Sequence, residues 1–421
     1  MRGPGGLREE REMKDSKSVG RRRFLSLAGA AGAGMALSKQ ATPAPAAEKP
    51  VAGWPTDFKP ASTAPRWYPR DAPKPGEKIH EFDMELVLTR HEILPRVEHH
   101  AYAYNGTVPG PEIRVREGDW VKVNFTNKTH DFHTIHWHGI MLACEMDGVP
   151  LGTQYPVGYQ QTFQYLFRAQ PAGTHFYHCH NMTPLHIQAG MYGALVIESA
   201  GEDPVRRAFP YEREYTLVLS EIDTNMVRDQ LNDMQQMGQV MDHMNGSPRL
   251  MAKMSGRMMG WFANKEAFLK AIKDGWVPPY DPSMTGPPRR PQPNFFMING
   301  KSYPMTEPMM IRRGENIRIR LINTGFLPHF MHLHGHDFWH VCQDGSPLAA
   351  PVRMNTVPVH PGSTADIIIQ GTNPGNWHFH DHSDLSTTNN GMSPGGMMTM
   401  LMYEDAEEAG FKFKEIIAVN S

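Results

Sequence analysis

Cysteine is nearly absent: Cys144, Cys179 and Cys342 are the three in 421 residues. No disulfide framework can therefore hold the chain. Excess charge is missing too. A net charge of −2 gives neither nucleic acid nor an acidic membrane surface an electrostatic partner, so neither is expected. No apolar run reaches the roughly 20 residues that a membrane-spanning helix requires. Aromatics are ordinary at 10%. What the chain does have is 40% apolar residues, enough for proper cores, and a length that suggests two or three domains. Its abundances are 22 histidines and 29 methionines. Both side chains bind late transition metals, and methionine also fills cores, so composition alone decides nothing.

The amino terminus reads as a targeting segment over residues 1–47. Arg21-Arg22-Arg23-Phe24-Leu25 looks like the twin-arginine export motif. A mild apolar run follows, Leu25 to Leu37, then small residues ending in Ala44-Pro45-Ala46. That run is too short and too rich in glycine and alanine for a membrane anchor. Export in the folded state suits a protein loaded with cofactor beforehand, so a periplasmic or otherwise exported location is expected. Residues 48–78 are proline-rich and read as a linker or arm.

From His80 onward, short alternating runs are broken by glycine and proline, as in Glu81–Leu88, Glu112–Arg116 and Trp120–Phe125. This spacing predicts β-sandwiches. The pattern then recurs. Residues 118–127 have a counterpart in 314–323, and His133, His136 and His138 pair with His329, His332 and His334, all at a separation of 196. His178-Cys179-His180 pairs with His380-Asp381-His382 at a separation of 202. An all-β chain of two consecutive sandwich domains follows, 79–203 and 204–421. The second is interrupted by an insertion over 223–290. There Met234, Met237, Met241 and Met244 would share one helix face, and Met251, Met254 and Met258 would share another.

The organising stretch is Gly173–Met191. In an extended chain, alternation sends Cys179 to one face and His178 and His180 to the other. A thiolate followed by His186 and Met191 is a soft donor set of the blue-copper kind, which needs one further histidine. A lone Cys-His pair would read as a core cysteine among surface histidines, but five ligands in this order do not. Four His-x-His pairs add eight imidazoles: His136/His138, His178/His180, His332/His334 and His380/His382. Imidazole alone suits copper, iron or zinc; the group built on Cys179 selects copper.

The motifs HTIHWHG, GTHFYHCH, HFMHLHGH and WHFHDH resemble those of two-domain, laccase-like multicopper oxidases of the cupredoxin superfamily, over nearly all of residues 80–405 except the insertion. The resemblance implies two cupredoxin-like Greek-key sandwiches and four coppers per chain. His133, Cys179, His186 and Met191 resemble the type 1 ligands, and His136 and His332 those of type 2. His138, His178, His180, His334, His380 and His382 resemble the ligands of the type 3 pair. Cys179 would pass single electrons to its neighbouring histidines, and dioxygen would be reduced to water at the trinuclear cluster. Asp147 resembles the family's proton-relaying acid, although before Gly148 it reads equally as a turn cap. A homotrimer with interchain clusters is implied as well. Two features depart from the pattern. Asp381 stands where a second type 1 site would need cysteine, although His329 and Met392 lie nearby in sequence. The Cys179–His186 spacing is also two residues longer than in three-domain oxidases.

The remaining histidines, His130, His175, His336, His340 and His378, read as supporting or ordinary residues. Cys144 and Cys342 read as buried free thiols. The expected activity is oxidation of Cu(I) or a phenolic substrate with dioxygen as acceptor. The alternatives are a copper nitrite reductase-like enzyme and a non-catalytic copper-binding or storage protein that works through its methionine-rich insertion.

Overall fold

A computed structural model describes residues 72–150, 152–232, 273 and 291–412. The export segment, most of the proline-rich arm and both methionine stripes lie outside the described residues.

The first eight strands are β1 (Ile79–Leu94), β2 (Val97–Tyr104), β3 (Gly110–Arg116), β4 (Trp120–Asn127), β5 (His136–His138), β6 (Thr162–Arg168), β7 (Gly173–His178) and β8 (Tyr192–Glu198). They form two four-stranded sheets, ordered β2-β1-β4-β6 and β3-β8-β7-β5. The strands predicted over Glu81–Leu88, Glu112–Arg116 and Trp120–Phe125 lie inside β1, β3 and β4. Apolar residues alternate along them because one face of each sheet must leave water. Val121, Val123 and Phe125 of β4 meet Trp137, Tyr165, Tyr177 and Leu195 in a single core.

A short helix, α1 (Thr183–His186), interrupts the path from β7 to β8, and α2 (Pro204–Ala208) follows β8. Asp203 caps α2 by accepting the Val205 N–H at 2.9 Å, and Pro204 takes a position where no donor is lost.

The second set comprises β9 (Arg213–Ile222), β10 (Phe295–Ile298), β11 (Met309–Ile311), β12 (Asn316–Asn323), β13 (His329–Leu333), β14 (Phe338–Gln343), β15 (Ser346–Met354), β16 (Thr356–Val359), β17 (Thr364–Gln370), β18 (Asn376–Asp381) and β19 (Met398–Tyr403). Its sheets run β10-β9-β12-β17-β14-β15 and β11-β19-β18-β13-β16. Ile317, Ile319, Leu321, Met331, Phe338, Ile367 and Phe379 fill the space between them. Between β9 and β10 a helix over residues 224–232 begins, capped by the Asp223 carboxylate, which accepts from the Asn225 and Met226 N–H groups.

The sequence repeat is a repeat of register. Parallel β1 and β4 set Leu86 opposite Asn127, and parallel β9 and β12 set Leu219 opposite Asn323. Antiparallel pairing sets Thr126 opposite Thr162 and Ile322 opposite Thr364.

The sandwiches meet across an apolar seam that includes Ala101, Ala103, Phe176, Tyr192, Val218 and Ile322. Small residues allow close approach there. At Gly173 a Cβ would lie 2.2 Å from the Gly345 carbonyl oxygen, so no larger residue fits. Beside this seam Arg318 and Arg320 are buried, and both are paired with Asp366.

Candidate metal centre

Strand β7 separates its residues as alternation requires. Phe176 faces the seam, and Thr174 donates to Asp366 at 2.7 Å across it, whereas Tyr177 and Cys179 enter the first core. Two backbone bonds then fold the chain back over Cys179. Its N–H donates to the Met191 carbonyl at 3.1 Å, and the Met191 N–H donates to the His186 carbonyl at 3.0 Å. The single turn of α1 thereby brings His186 Nδ1 to 3.3 Å from Cys179 Sγ. His133, anchored by reciprocal backbone bonds with Val157, places its Nδ1 at 3.8 Å from the same sulfur. His133, Cys179, His186 and Met191 are all fully buried.

The outer nitrogens are held as well. His186 Nε2–H donates to the Asp131 carboxylate at 2.9 Å, and His133 Nε2 lies 2.9 Å from the Thr129 hydroxyl. Both rings therefore turn Nδ1 toward the sulfur. Burial opposes a charge on His186, but Cys179 and Asp131 outweigh it and lift its pKa to about 10. A sulfur and two imidazole nitrogens converging in this pocket, with buried Met191 hydrogen-bonded to the Cys179 backbone, fit copper.

On the opposite face lie His136, His138, His178 and His180. His136 stands opposite His178 in the ladder, and ligand atoms of His136, His138 and His178 lie within 4.8 Å of one another. Nδ1–H of His178 donates to the Cys179 carbonyl at 2.9 Å, and that of His136 to the Asp147 carbonyl at 2.8 Å. This leaves both Nε2 atoms available. Burial, reinforced by the neighbouring imidazoles, pushes His178 down to about 3 and His138 to about 4, the neutral form that binds metal. The Asp147 carboxylate also lies 3.3 Å from His136 Nδ1, and that contact holds its pKa below the ordinary value.

The second sandwich repeats the quartet. His332 stands opposite His380, whose Nδ1–H donates to the Asp381 carbonyl at 2.8 Å; that of His332 donates to Asn355 at 2.8 Å. His334 and His380 approach to 3.0 Å between Nε2 atoms. This quartet is open, with His334 and His382 exposed. Among the described residues, each quartet makes ring contacts within itself and no ring contact joins the two.

At the place corresponding to the buried sulfur site, the second sandwich holds something else. Asp381 N–H donates to the Met397 carbonyl, and Met397 N–H to the Ser386 carbonyl. Ser386 therefore takes the place of His186, and Met397 the place of Met191. Met392, which the sequence suggested as a neighbour of this site, is 74% exposed. His329 Nδ1 lies 2.8 Å from Asp381 and its Nε2 3.0 Å from Glu221, all three buried. With both nitrogens bound to carboxylates, His329 has no lone pair left for a metal.

One expectation fails. Cys144 is exposed, because it opens a surface turn over Cys144–Met146, whereas Cys342 is buried as expected. Among the supporting histidines, His175 Nε2–H donates to the Pro171 carbonyl, His336 lies 2.7 Å from the Tyr403 hydroxyl and His340 bonds the Cys342 carbonyl. His130 stacks on Tyr159, and His378 is exposed beside His334. Thr129, Asp131, Glu221 and Ser386 escaped the reading of the sequence. Asp131 had a signal, since it lies two residues before His133; Glu221, 108 residues from His329, had none.

Family models described as multicopper oxidase match residues 87–202 and 276–405. The chain is 34% identical to the blue copper oxidase from Nitrosomonas europaea (TM-score 0.62; 79% of this chain and 87% of that one). It is 31% identical to the multicopper oxidase mgLAC (TM-score 0.61; 77% and 86%). The copper resistance protein A homolog of Pseudomonas syringae pv. tomato is 27% identical over 73% of this chain and 50% of its own length. The chain spans about half the length of the copper resistance proteins it matches.

Proposed function

The chain belongs to the multicopper oxidases, and on that footing we propose that it is an exported enzyme that oxidises Cu(I) or a phenolic substrate one electron at a time and reduces dioxygen to water. His133, Cys179, His186 and Met191 would hold the type 1 copper. His136 and His332 would hold type 2, and His138, His178, His180, His334, His380 and His382 the type 3 pair. Copper bound at these places supplies one-electron redox chemistry in the first core and the four-electron reduction of dioxygen at the histidine cluster.

The protein's own contribution is connection and orientation. Cys179 joins the buried donor set to His178 and His180 through single peptide bonds, a covalent path across the sheet. Backbone carbonyls fix the tautomers of His136, His178, His332 and His380. Asp147, partly accessible and against His136, would serve as a carboxylate that passes protons on beside the quartet. The observation that carries the reading is that each sandwich bears half of an eight-imidazole set at matching register, with one half open to solvent. This supports a homotrimer in which the first sandwich of one chain covers the second of the next, a heterologous interface closed by symmetry.

The methionine-rich insertion would collect Cu(I), since thioethers select it over harder ions. The amino-terminal motif supports export by the twin-arginine route. Three measurements test the reading together: copper per chain, sedimentation of the copper-loaded protein, and oxygen uptake with Cu(I), a phenol and Mn(II). Four coppers, a trimer and oxygen uptake support it. A copper-loaded, active monomer removes the interchain cluster. Copper binding without oxygen uptake leaves a storage protein, and nitrite turnover in its place leaves a reductase.

A further inference from the structure

We infer that the buried chain Glu221–His329–Asp381 is a positioning device for the second histidine quartet, built at the place in its sandwich that the sulfur-centred site occupies in the first. The inference rests on the reading of that quartet as half of a copper cluster.

Asp381 lies between His380 and His382 in sequence and points the opposite way, into the second core. One carboxylate oxygen accepts the Phe330 N–H at 2.7 Å and the Ser383 N–H at 3.3 Å. The other faces His329 Nδ1 at 2.8 Å. His382 N–H in turn donates to the Phe330 carbonyl at 2.8 Å. The end of β18, which carries His380 and leads directly into His382, is thus clipped to β13, which carries His332.

The other end of the chain is equally anchored. Glu221 Oε1 accepts the Phe326 and Leu327 N–H groups, and Oε2 faces His329 Nε2 at 3.0 Å. Glu221 fits because residue 325 is glycine, where a Cβ would lie 2.0 Å from Oε2. The matching position in the first sandwich is Thr129, whose hydroxyl meets His133 directly. A side chain from β9 is therefore admitted in the second sandwich to do what Thr129 does in the first. None of the three residues faces the quartet, so none is a ligand. Each acts through the strand that bears the ligands.

The test uses Glu221→Gln and Asp381→Asn in the full chain, with copper content, the visible blue band and the electron paramagnetic resonance spectrum as readouts beside the thermal midpoint. Both variants should keep the blue band, which belongs to the first sandwich. Both should lose type 2 and type 3 signals, with copper retention at the cluster weakened by about 10-fold or more. Asp381→Asn should be the more severe. Wild-type spectra with full copper content in both folded variants would overturn the inference and leave the chain a stabilising element only. Should Asp381→Asn fail to fold, Glu221→Gln decides the matter alone, since it is remote from the ligands in sequence. Wild-type protein is the control for the underlying reading. If it shows no type 2 or type 3 signal, that reading fails before the variants are considered.

Discussion

The same corner of the same sandwich is built twice in this chain, once around a sulfur and once around an ion chain. In the first, the backbone bonds 179-to-191 and 191-to-186 enclose His133, Cys179 and His186. In the second, the bonds 381-to-397 and 397-to-386 enclose His329 and Asp381, with Glu221 entering from β9. The scaffolds agree; the chemistry does not. His133 and His186 turn Nδ1 toward a soft donor and keep Nε2 for support, an arrangement that leaves a place for a cation. His329 spends both nitrogens on carboxylates, so the positive charge there is a proton on the ring. The two corners thus differ in what fills them, while the strands that enclose them keep the same backbone bonds.

Cys179→Ser cuts deepest into that contrast. It should abolish the intense visible band and substrate oxidation while the fold survives, because Cys179 supplies the only sulfur anion of the donor set. A retained band in the visible spectrum would mean that the first corner is not the blue site. Next comes His329→Leu, which leaves two buried carboxylates without their shared cationic partner and should cost about 3–5 kcal/mol. His133→Leu in metal-free protein, where the neutral ring meets a hydroxyl, should cost about 1 kcal/mol for its lost hydrogen bond, apart from packing. Urea unfolding of the two metal-free variants compares them, and equal losses would erase the distinction between the corners.

The proton in the second corner also predicts a pH dependence. Burial works against a charge on His329, but Asp381 and Glu221 prevail and raise its pKa from 6.5 to about 9. A folded-state pKa above the unfolded one gives stability that is fully present below about pH 6.5 and lost as pH rises through about 9. The expected loss is about 3 kcal/mol, read from denaturation midpoints across that window. A flat profile in wild type, or the same slope in His329→Leu, would contradict it.

A smaller effect is expected from Gly325→Ala. Its added methyl would press on the Glu221 carboxylate and should lower stability by about 1–3 kcal/mol, measured by thermal unfolding. Smallest of all is Met392→Ala. Met392 is exposed and Met397 occupies the core position, so stability should move by no more than about 0.5 kcal/mol and the blue band not at all. A spectral change in Met392→Ala would reopen its role at the metal sites.

Much of this was legible along the chain. Period-two alternation around Cys179 separates sulfur from histidines by backbone geometry alone, and the structure places them on opposite faces of one sheet. The 196- and 202-residue offsets between His-x-His pairs announce two sandwiches in one register, because paired strands tolerate no slip of a single residue without exchanging faces. Asp381 in place of cysteine already signals that the second corner differs.

Other features depended on packing between segments distant in sequence. Glu221 reaches His329 only because β9 lies beside β12 and Gly325 leaves room for a carboxylate. Met397, rather than Met392, takes the core position because the loop after β18 is longer than that after β7, and hydrogen bonding rather than spacing selects the residue that returns. Cys144 is exposed because its turn lies outside both sheets. Whether the two quartets meet within one chain is likewise settled by how the sheets dock, Gly173 against Gly345 and Phe176 against the second sandwich. Sequence periodicity fixes the face on which a side chain lies, but the direction that face takes relative to another sheet comes from long-range contacts, which no local pattern encodes.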